Sequence, residues 1–327
     1  MTKFTKRSRI EATIAAEKTD RTPIAMWRHW PGDDQDAKEL ALSVLQWQKE
    51  FDWDVVKHSP SSSYMVMDYG MDDRWVGHIE GTREYTLRPV VKAEDWLKLK
   101  PLDPSKGQLA TQIESLKLLG EGLDKDTPFV ATLFAPLSQA KNLAGNEHMI
   151  GLMRSNPQEL HTALEVITES TLRFIEEAKK TGIDGIYYAI QHNRYPLMNK
   201  TEFREFGRYY DDQILAAVDD LWLNILHVHS LDIMFDEITD YPVQIINWHD
   251  RDTPPSLKEG LNMTDKAASG GISQWTLHQE TPDNALAEAK DAIEQSGGKR
   301  LLLGTGCVTM TTTPKRNLRA VRAFVEN

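Results

Sequence analysis

The sequence predicts an α/β fold, a single (β/α)8 TIM barrel with a hairpin or lid inserted after its second strand. Three observations carry this. From residue 21 onward, short β-rich segments alternate with longer amphipathic ones eight times, the pattern of parallel strands each followed by a crossover helix. The stretch 59–106 is too long for a loop and holds two alternating runs, 75–82 and 84–91, around Gly81, which reads as an inserted hairpin. No glycine-rich phosphate fingerprint follows the first strand, which weighs against a dinucleotide-binding doubly wound sheet. Alternation alone does not separate closed from open sheets, so a doubly wound sheet stays as the second architecture.

The eight strands are expected at 23–28, 54–58, 129–135, 185–190, 223–229, 243–249, 271–275 and 300–305, with helices including 37–50, 157–180 and 202–220. In 157–180, Leu160, Leu164, Ile167, Leu172, Ile175 and Ala178 form one apolar face, and Glu165, Glu169, Glu176 and Lys179 the other. Lys179 and Lys180 precede Thr181-Gly182, cations in a last turn with a glycine beyond it. No repeat, low-complexity tract or linker divides the chain, so residues 1–327 are read as one domain.

Composition narrows the function. At 327 residues, 40% hydrophobic and 27% charged, the chain has the make-up of a globular protein able to bury a core. A formal net charge of −11 sets aside general nucleic-acid binding, which needs cations to neutralise phosphates. No run of about 18 apolar residues suggests a membrane span, and the basic N-terminus lacks a signal-peptide core. One cysteine excludes an internal disulfide and fits a reducing, cytoplasmic setting.

In a parallel barrel the strand ends and following loops form one rim, where polar residues are candidates for chemistry. Here the rim groups are Trp27-Arg28-His29-Trp30, Lys57-His58, Gln191-His192-Asn193-Arg194, His227-Val228-His229-Ser230, Trp248-His249-Asp250-Arg251 and Thr305-Gly306-Cys307. His227 and His229 lie two apart on one strand, so both point to one face and can reach one metal ion. Cys307 follows the last strand, and a thiolate favours zinc among common cytosolic metals. Two histidines and a cysteine leave a fourth position open, as in catalytic zinc sites, and His249 is a further possible ligand. The same spacing also suits a hydrogen-bonded structural pair, and a lone cysteine after glycine is often inert packing. Arg28 suits a carboxylate or phosphate, or an ion pair; His58, Gln191 and His192 are weaker candidates for substrate contact.

Three passages resemble the uroporphyrinogen decarboxylase superfamily, which includes zinc-dependent corrinoid methyltransferases of the methylcobalamin:coenzyme M type. They are Arg21-Thr-Pro-Ile-Ala-Met-Trp-Arg28, Ile246-Asn-Trp-His-Asp250, and Leu303-Gly-Thr-Gly-Cys-Val-Thr-Met-Thr-Thr-Thr-Pro314, and the resemblance spans most of the chain. The decarboxylases hold tetrapyrrole carboxylates with two arginines, an aspartate and a histidine. Only Arg28 matches, with Cys307 in the histidine's place, so decarboxylation of uroporphyrinogen is not expected. The methyltransferase branch holds zinc with His-x-Cys and a later Cys, which fall on His227, His229 and Cys307, one cysteine being replaced by histidine. An imidazole in place of a thiolate removes a negative charge, so the metal becomes a stronger Lewis acid.

The resemblance therefore implies a zinc-dependent methyltransferase moving a methyl group between a corrinoid and a thiol or other small acceptor. No Asp-x-His-x-x-Gly cobalamin signature is present, so the methylcobamide would be carried by a partner corrinoid protein. The alternative is a lyase or decarboxylase of a small carboxylated substrate, with Arg28 as anion anchor and histidines as acid–base groups. A barrel that only binds or assembles is the third reading, disfavoured by the density of rim histidines.

Overall fold

The computed structural model describes residues 4–326. Among the described residues nine strands form: β1 (Val56–Lys57), β2 (Asp72–Arg74), β3 (Glu84–Leu87), β4 (Phe129–Phe134), β5 (Gly185–Ile190), β6 (Ile225–Val228), β7 (Ile245–Trp248), β8 (Ala267–Ile272) and β9 (Leu301–Thr305). Seven of them make one parallel sheet in the order β1-β4-β5-β6-β7-β8-β9. The sheet curls, and its two edges meet across an extended segment. Ala25 N donates to Leu303 O (3.0 Å) and Leu303 N to Pro23 O (2.8 Å) on one side, and Asp54 N donates to Ile24 O (2.9 Å) on the other. The first expected strand is thus present mainly as this short bridge, because the chain leaves the sheet after Ala25 toward the rim. The architecture is TIM-barrel-like.

The strand residues divide into two layers. Outward-facing residues such as Ile186, Tyr188, Leu226, Ile246 and Leu303 pack against the helices in the large core. Inward-facing Ala25, Trp27, Val55, Val130, Tyr187, Ile225, Ile245, Ala267 and Leu302 form a second cluster inside the sheet, joined by Ile10 from the helix Lys6–Ile14. Strands buried on both faces read as continuous apolar runs, as parallel sheets require. Below, Asp54 is fully buried and held by Arg9 and Arg21, each at 2.7 Å.

Helix Pro157–Lys179 buries the expected face, including Leu160, Leu164, Ile167 and Ile175. The helix expected at 202–220 runs from Lys200 to Ala216 and contains a π turn at Arg204–Arg208. Two expectations need correction. The seventh barrel strand lies at Ala267–Ile272 rather than 271–275, and Trp275 belongs to the helix Gln274–Gln279, which Ser273 caps. Its Ala-Ala-Ser-Gly-Gly run carries little β propensity. Those small residues admit neighbours instead: a Cβ on Gly270 would lie 2.3 Å from Asp250 Oδ1, and one on Gly271 2.4 Å from Ala292 Cβ. The inserted hairpin is antiparallel as expected, but β2 pairs at 72–74, not 75–82, with a register shift between Asp72 and Asp73.

Candidate metal centre

Five of the seven strand positions of the sheet change character over one two-residue step toward the C-terminal end. Val55 gives way to Lys57, Val130 to Thr132, Ile225 to His227, Ile245 to Asn247 and Ala267 to Ser269, all on the inward face. At that level sits one group of potential ligands. Donor atoms of His227, His229, His249 and Cys307 all lie within 4.8 Å of one another, from the ends of three strands, β6, β7 and β9.

Cys307 Sγ is 3.8 Å from His227 Nε2 and 3.8 Å from His229 Nδ1. Zinc bonds of about 2.3 Å to sulfur and about 2.0 Å to nitrogen at tetrahedral angles would set S···N near ~3.5 Å, so small adjustments suffice for a shared ion. His249 Nδ1 faces Asp252 Oδ2 at 3.6 Å, while its Nε2 is buried with no hydrogen-bond partner. A buried, unpartnered nitrogen beside a thiol is a costly arrangement that a metal would relieve. The donor set and its orphaned atom therefore fit zinc.

The supporting shell fixes His227 in one tautomer. Asn247 Nδ2 donates to Ser269 O (2.8 Å) and Thr305 O (3.0 Å), which orients its Oδ1 toward Tyr187 Oη (2.8 Å) and His227 Nδ1 (2.6 Å). Since Oδ1 only accepts, His227 Nδ1 carries the proton and Nε2 offers its lone pair toward Cys307. Tyr187 stacks on the His227 ring at 5.3 Å and completes this support. Gly306 brings Cys307 close: a Cβ there would stand 2.6 Å from Trp248 O and 2.7 Å from His249 Cα.

The electrostatics follow from crowding three imidazoles and a thiol. Burial pushes the Cys307 thiol up, but the imidazoles of His227, His229 and His249 crowded around it outweigh that and hold the thiol well below its usual range. Burial lowers His249, but Asp252 and Cys307 outweigh it and raise it to about 10. Burial lowers His227 below its usual value. A metal is held by a thiolate and neutral imidazoles, so binding at this cluster would be coupled to proton release.

The centre opens on a cavity of about 310 Å³ whose walls include His29, Lys57, Thr132, Lys141, Tyr187 and Gln191, and, from the hairpin region, Glu80, Arg83 and Tyr85. The sequence-expected residues divide sharply. His227, His229, Cys307 and Gln191 line this cavity, and His249 joins the cluster. Arg28, His58 and His192 are not among its lining residues. Arg28 lies over the Trp30 ring at 4.3 Å and donates to His29 O. His58 turns outward, its Nε2 3.1 Å from Ser115 Oγ on the helix Gly107–Gly122. His192 Nε2 lies 3.2 Å from Asn146 Oδ1. Their neighbours His29, Lys57 and Gln191 face the cavity instead, Lys57 and Gln191 because side chains alternate along the strands they end.

The family model described as Uroporphyrinogen decarboxylase (URO-D) matches residues 5–327. A protein of Methanosarcina acetivorans named methylcobamide:CoM methyltransferase is 20% identical over 343 residues, covering 100% of this chain and 99% of that protein. A Flavobacterium johnsoniae uroporphyrinogen decarboxylase is 26% identical over 115 residues, 33% of each chain. Among solved structures, a methyltransferase from Methanosarcina mazei superposes with a TM-score of 0.84 at 20% identity, covering 99% of both chains. A B12-independent methionine synthase from Shewanella sp. W3-18-1 reaches a TM-score of 0.58 at 16% identity over 94% of both. By the extent of the family match, which leaves only the first four residues outside it, this chain belongs to the uroporphyrinogen decarboxylase family.

Proposed function

We propose that this protein is a zinc-dependent methyltransferase that moves a methyl group between a corrinoid held by a partner protein and a thiol or other small acceptor. The observation that carries the reading is the convergence of His227, His229, His249 and Cys307 donor atoms within 4.8 Å at the floor of a cavity. Structural zinc sites are closed by protein on all sides. This one faces open space large enough for a small molecule. The names of the full-length relatives support the chemistry, and no helix among the described residues is long and apolar enough to cross a membrane.

His227, His229 and Cys307 would hold the ion and leave the fourth position to the acceptor, with His249 beside it as a ligand that the acceptor would displace. When bound, zinc would lower the pKa of an acceptor thiol, or polarise an oxygen, at neutral pH. The chain's own residues would do the rest. Asn247 keeps the His227 proton on Nδ1, so that Nε2 stays available. Asp252 beside His249 Nδ1 orients that ring. Tyr85, Arg83 and Glu80 from the hairpin region line the cavity wall. The methyl donor, carried by the partner, would enter from the rim formed by the strand ends.

The test is methyl transfer from methylcobalamin to small thiols, followed by cobalamin absorbance, before and after chelation and for Cys307→Ala. Transfer lost on chelation, restored by zinc and absent in Cys307→Ala is the expected result. Undiminished transfer by Cys307→Ala would remove the metal role.

A further inference from the structure

The connection between β2 and β3, residues 75–83, is no tight turn. Its middle leaves the hairpin and reaches over the rim of the metal-centre cavity, in whose wall Glu80, Thr82 and Arg83 join Cys307. Two glycines in left-handed conformations, Gly77 (φ 85°) and Gly81 (φ 82°), bracket residues 78–80. Those three residues carry the contacts to the rim beyond β8 and β9. Thr311 donates from N and Oγ1 to Ile79 O (2.8 and 2.9 Å), and Gln274 Nε2 donates to Glu80 Oε1 (3.0 Å). Gly81 sits against the loop after the first strand segment, since a Cβ there would stand 2.5 Å from His29 Cβ.

The two ends of this arm are held very differently. At its base the Asp73 side chain is buried and engaged by Arg83 and Ser63, and Arg83 also donates to Pro31 O (3.0 Å). At its tip little apolar surface is buried: Trp75 and Val76 are 38% and 54% exposed, and Gly77 and His78 are exposed as well. The latch on the far side is incompletely satisfied. Gln274 is buried, and its Oε1 has no hydrogen-bond partner, a cost that access to water would relieve. An anchored base with a tip held by three hydrogen bonds is a segment that opens locally without unfolding its surroundings.

We propose that residues 78–80 are a gate that turns about Gly77 and Gly81, closing over a small acceptor and swinging clear to let a group wider than the cavity reach the metal cluster. The cavity, about 310 Å³, is near the lower end of the range of ligand pockets, about 300–1,000 Å³. It takes a small acceptor, but a corrin macrocycle does not fit beside one. Glycines at positive φ absorb the dihedral change that such a swing requires. The gate rests on the corrinoid reading for its purpose, but the motion is measured without any turnover.

The experiment uses Cys307, the one cysteine of the chain, as a reporter at the cavity wall. Intact protein, treated with chelator so that the thiol is free, is labelled with N-methylmaleimide and, separately, with fluorescein maleimide, which carries the same reactive group on a broad rigid ring system. Each rate is divided by that of the same reagent with glutathione. In wild type the bulky reagent should react at least about tenfold more slowly than the small one on this scale. Gln274→Ala with Thr311→Ala removes two of the three latching hydrogen bonds and should raise the bulky-to-small ratio about tenfold, with the small reagent's rate nearly unchanged. Gly81→Ala, whose methyl group would push the segment off His29, should raise the ratio in the same direction. A wild-type ratio equal to that of glutathione would show a mouth already open and overturn the proposal. A ratio unmoved by both variants would overturn it too. If the double variant does not fold, Gly81→Ala and the wild-type ratio decide alone. Loss of the methyl-transfer reading would leave these ratios as they are, so the two failures are distinguishable.

Discussion

The lower and upper halves of the sheet interior differ by a single two-residue step, and that step separates stability from chemistry. Val55, Ile225, Ile245 and Ala267 close the lower half as a dry, apolar cluster plugged by Ile10. Two residues on along the same faces, Lys57, His227, Asn247 and Ser269 line the upper half. The backbone geometry is the same in both places; only the side chains differ. What the difference teaches is that this scaffold concentrates its polar burden at one end, where hydrogen bonds such as those of Asn247 offset the burial.

The comparison breaks most visibly if the two halves are exchanged in effect. Ile225→Ala should destabilise the fold by about 2–5 kcal/mol through cavity formation, with the metal content of the folded protein unchanged. His227→Ala should do the opposite, abolishing tight metal binding with a smaller change in the denaturant midpoint. Urea titration and metal analysis of both variants check this; equal losses of metal would show that the halves are not separable.

A finer division lies within the upper half. Asn247→Leu keeps every proposed ligand but removes the acceptor that fixes the His227 tautomer, so zinc affinity should fall about 10–100-fold, read by competition with a chelating dye. An unchanged affinity would mean that Asn247 serves only the sheet.

The outer layer supplies a contrasting polar group. Asp211 is buried between Tyr188 and Tyr241, whose hydroxyls donate to it at 2.5 and 2.8 Å. Burial raises its carboxyl to about 7, well above the usual aspartate range. The fold therefore favours its protonated form, and that contribution, whole below about pH 4, declines as pH rises through about 7. Asp211→Asn should gain stability relative to wild type between pH 5 and pH 7.5 in urea titrations, without altering metal content. A pH-independent difference would show that Asp211 ionises as freely folded as unfolded. The smallest effect is expected from Arg28→Lys: stacked on Trp30 outside the cavity wall, it should leave metal content and acceptor KM unchanged.

Much of this was legible in the sequence. The alternation of strands and helices located most of the sheet, and His227-x-His229 with Cys307 identified the cluster because period-two spacing fixes a common face. What stayed hidden was which of two adjacent rim residues faces inward. Val55-Val56-Lys57-His58 turns from apolar to polar on both faces at the same level, so no polar alternation marks the inward positions. Hence His58 stood out where Lys57 lines the cavity, and Arg28 where His29 does. Parity counted from His227 cannot be carried to β1 without the pairing register, which only the fold supplies. Strand β8 was misplaced for a different reason: its small residues serve close packing by Asp250 and Ala292, which leaves no propensity signal.

The most direct measurement is metal stoichiometry by mass spectrometry on untagged protein, for wild type beside Cys307→Ser and His229→Ala. About one zinc per chain in wild type, lost in both variants while their melting curves remain cooperative, is the result this account predicts. Wild type that binds no metal even after reconstitution, or zinc that persists in both variants, would contradict it.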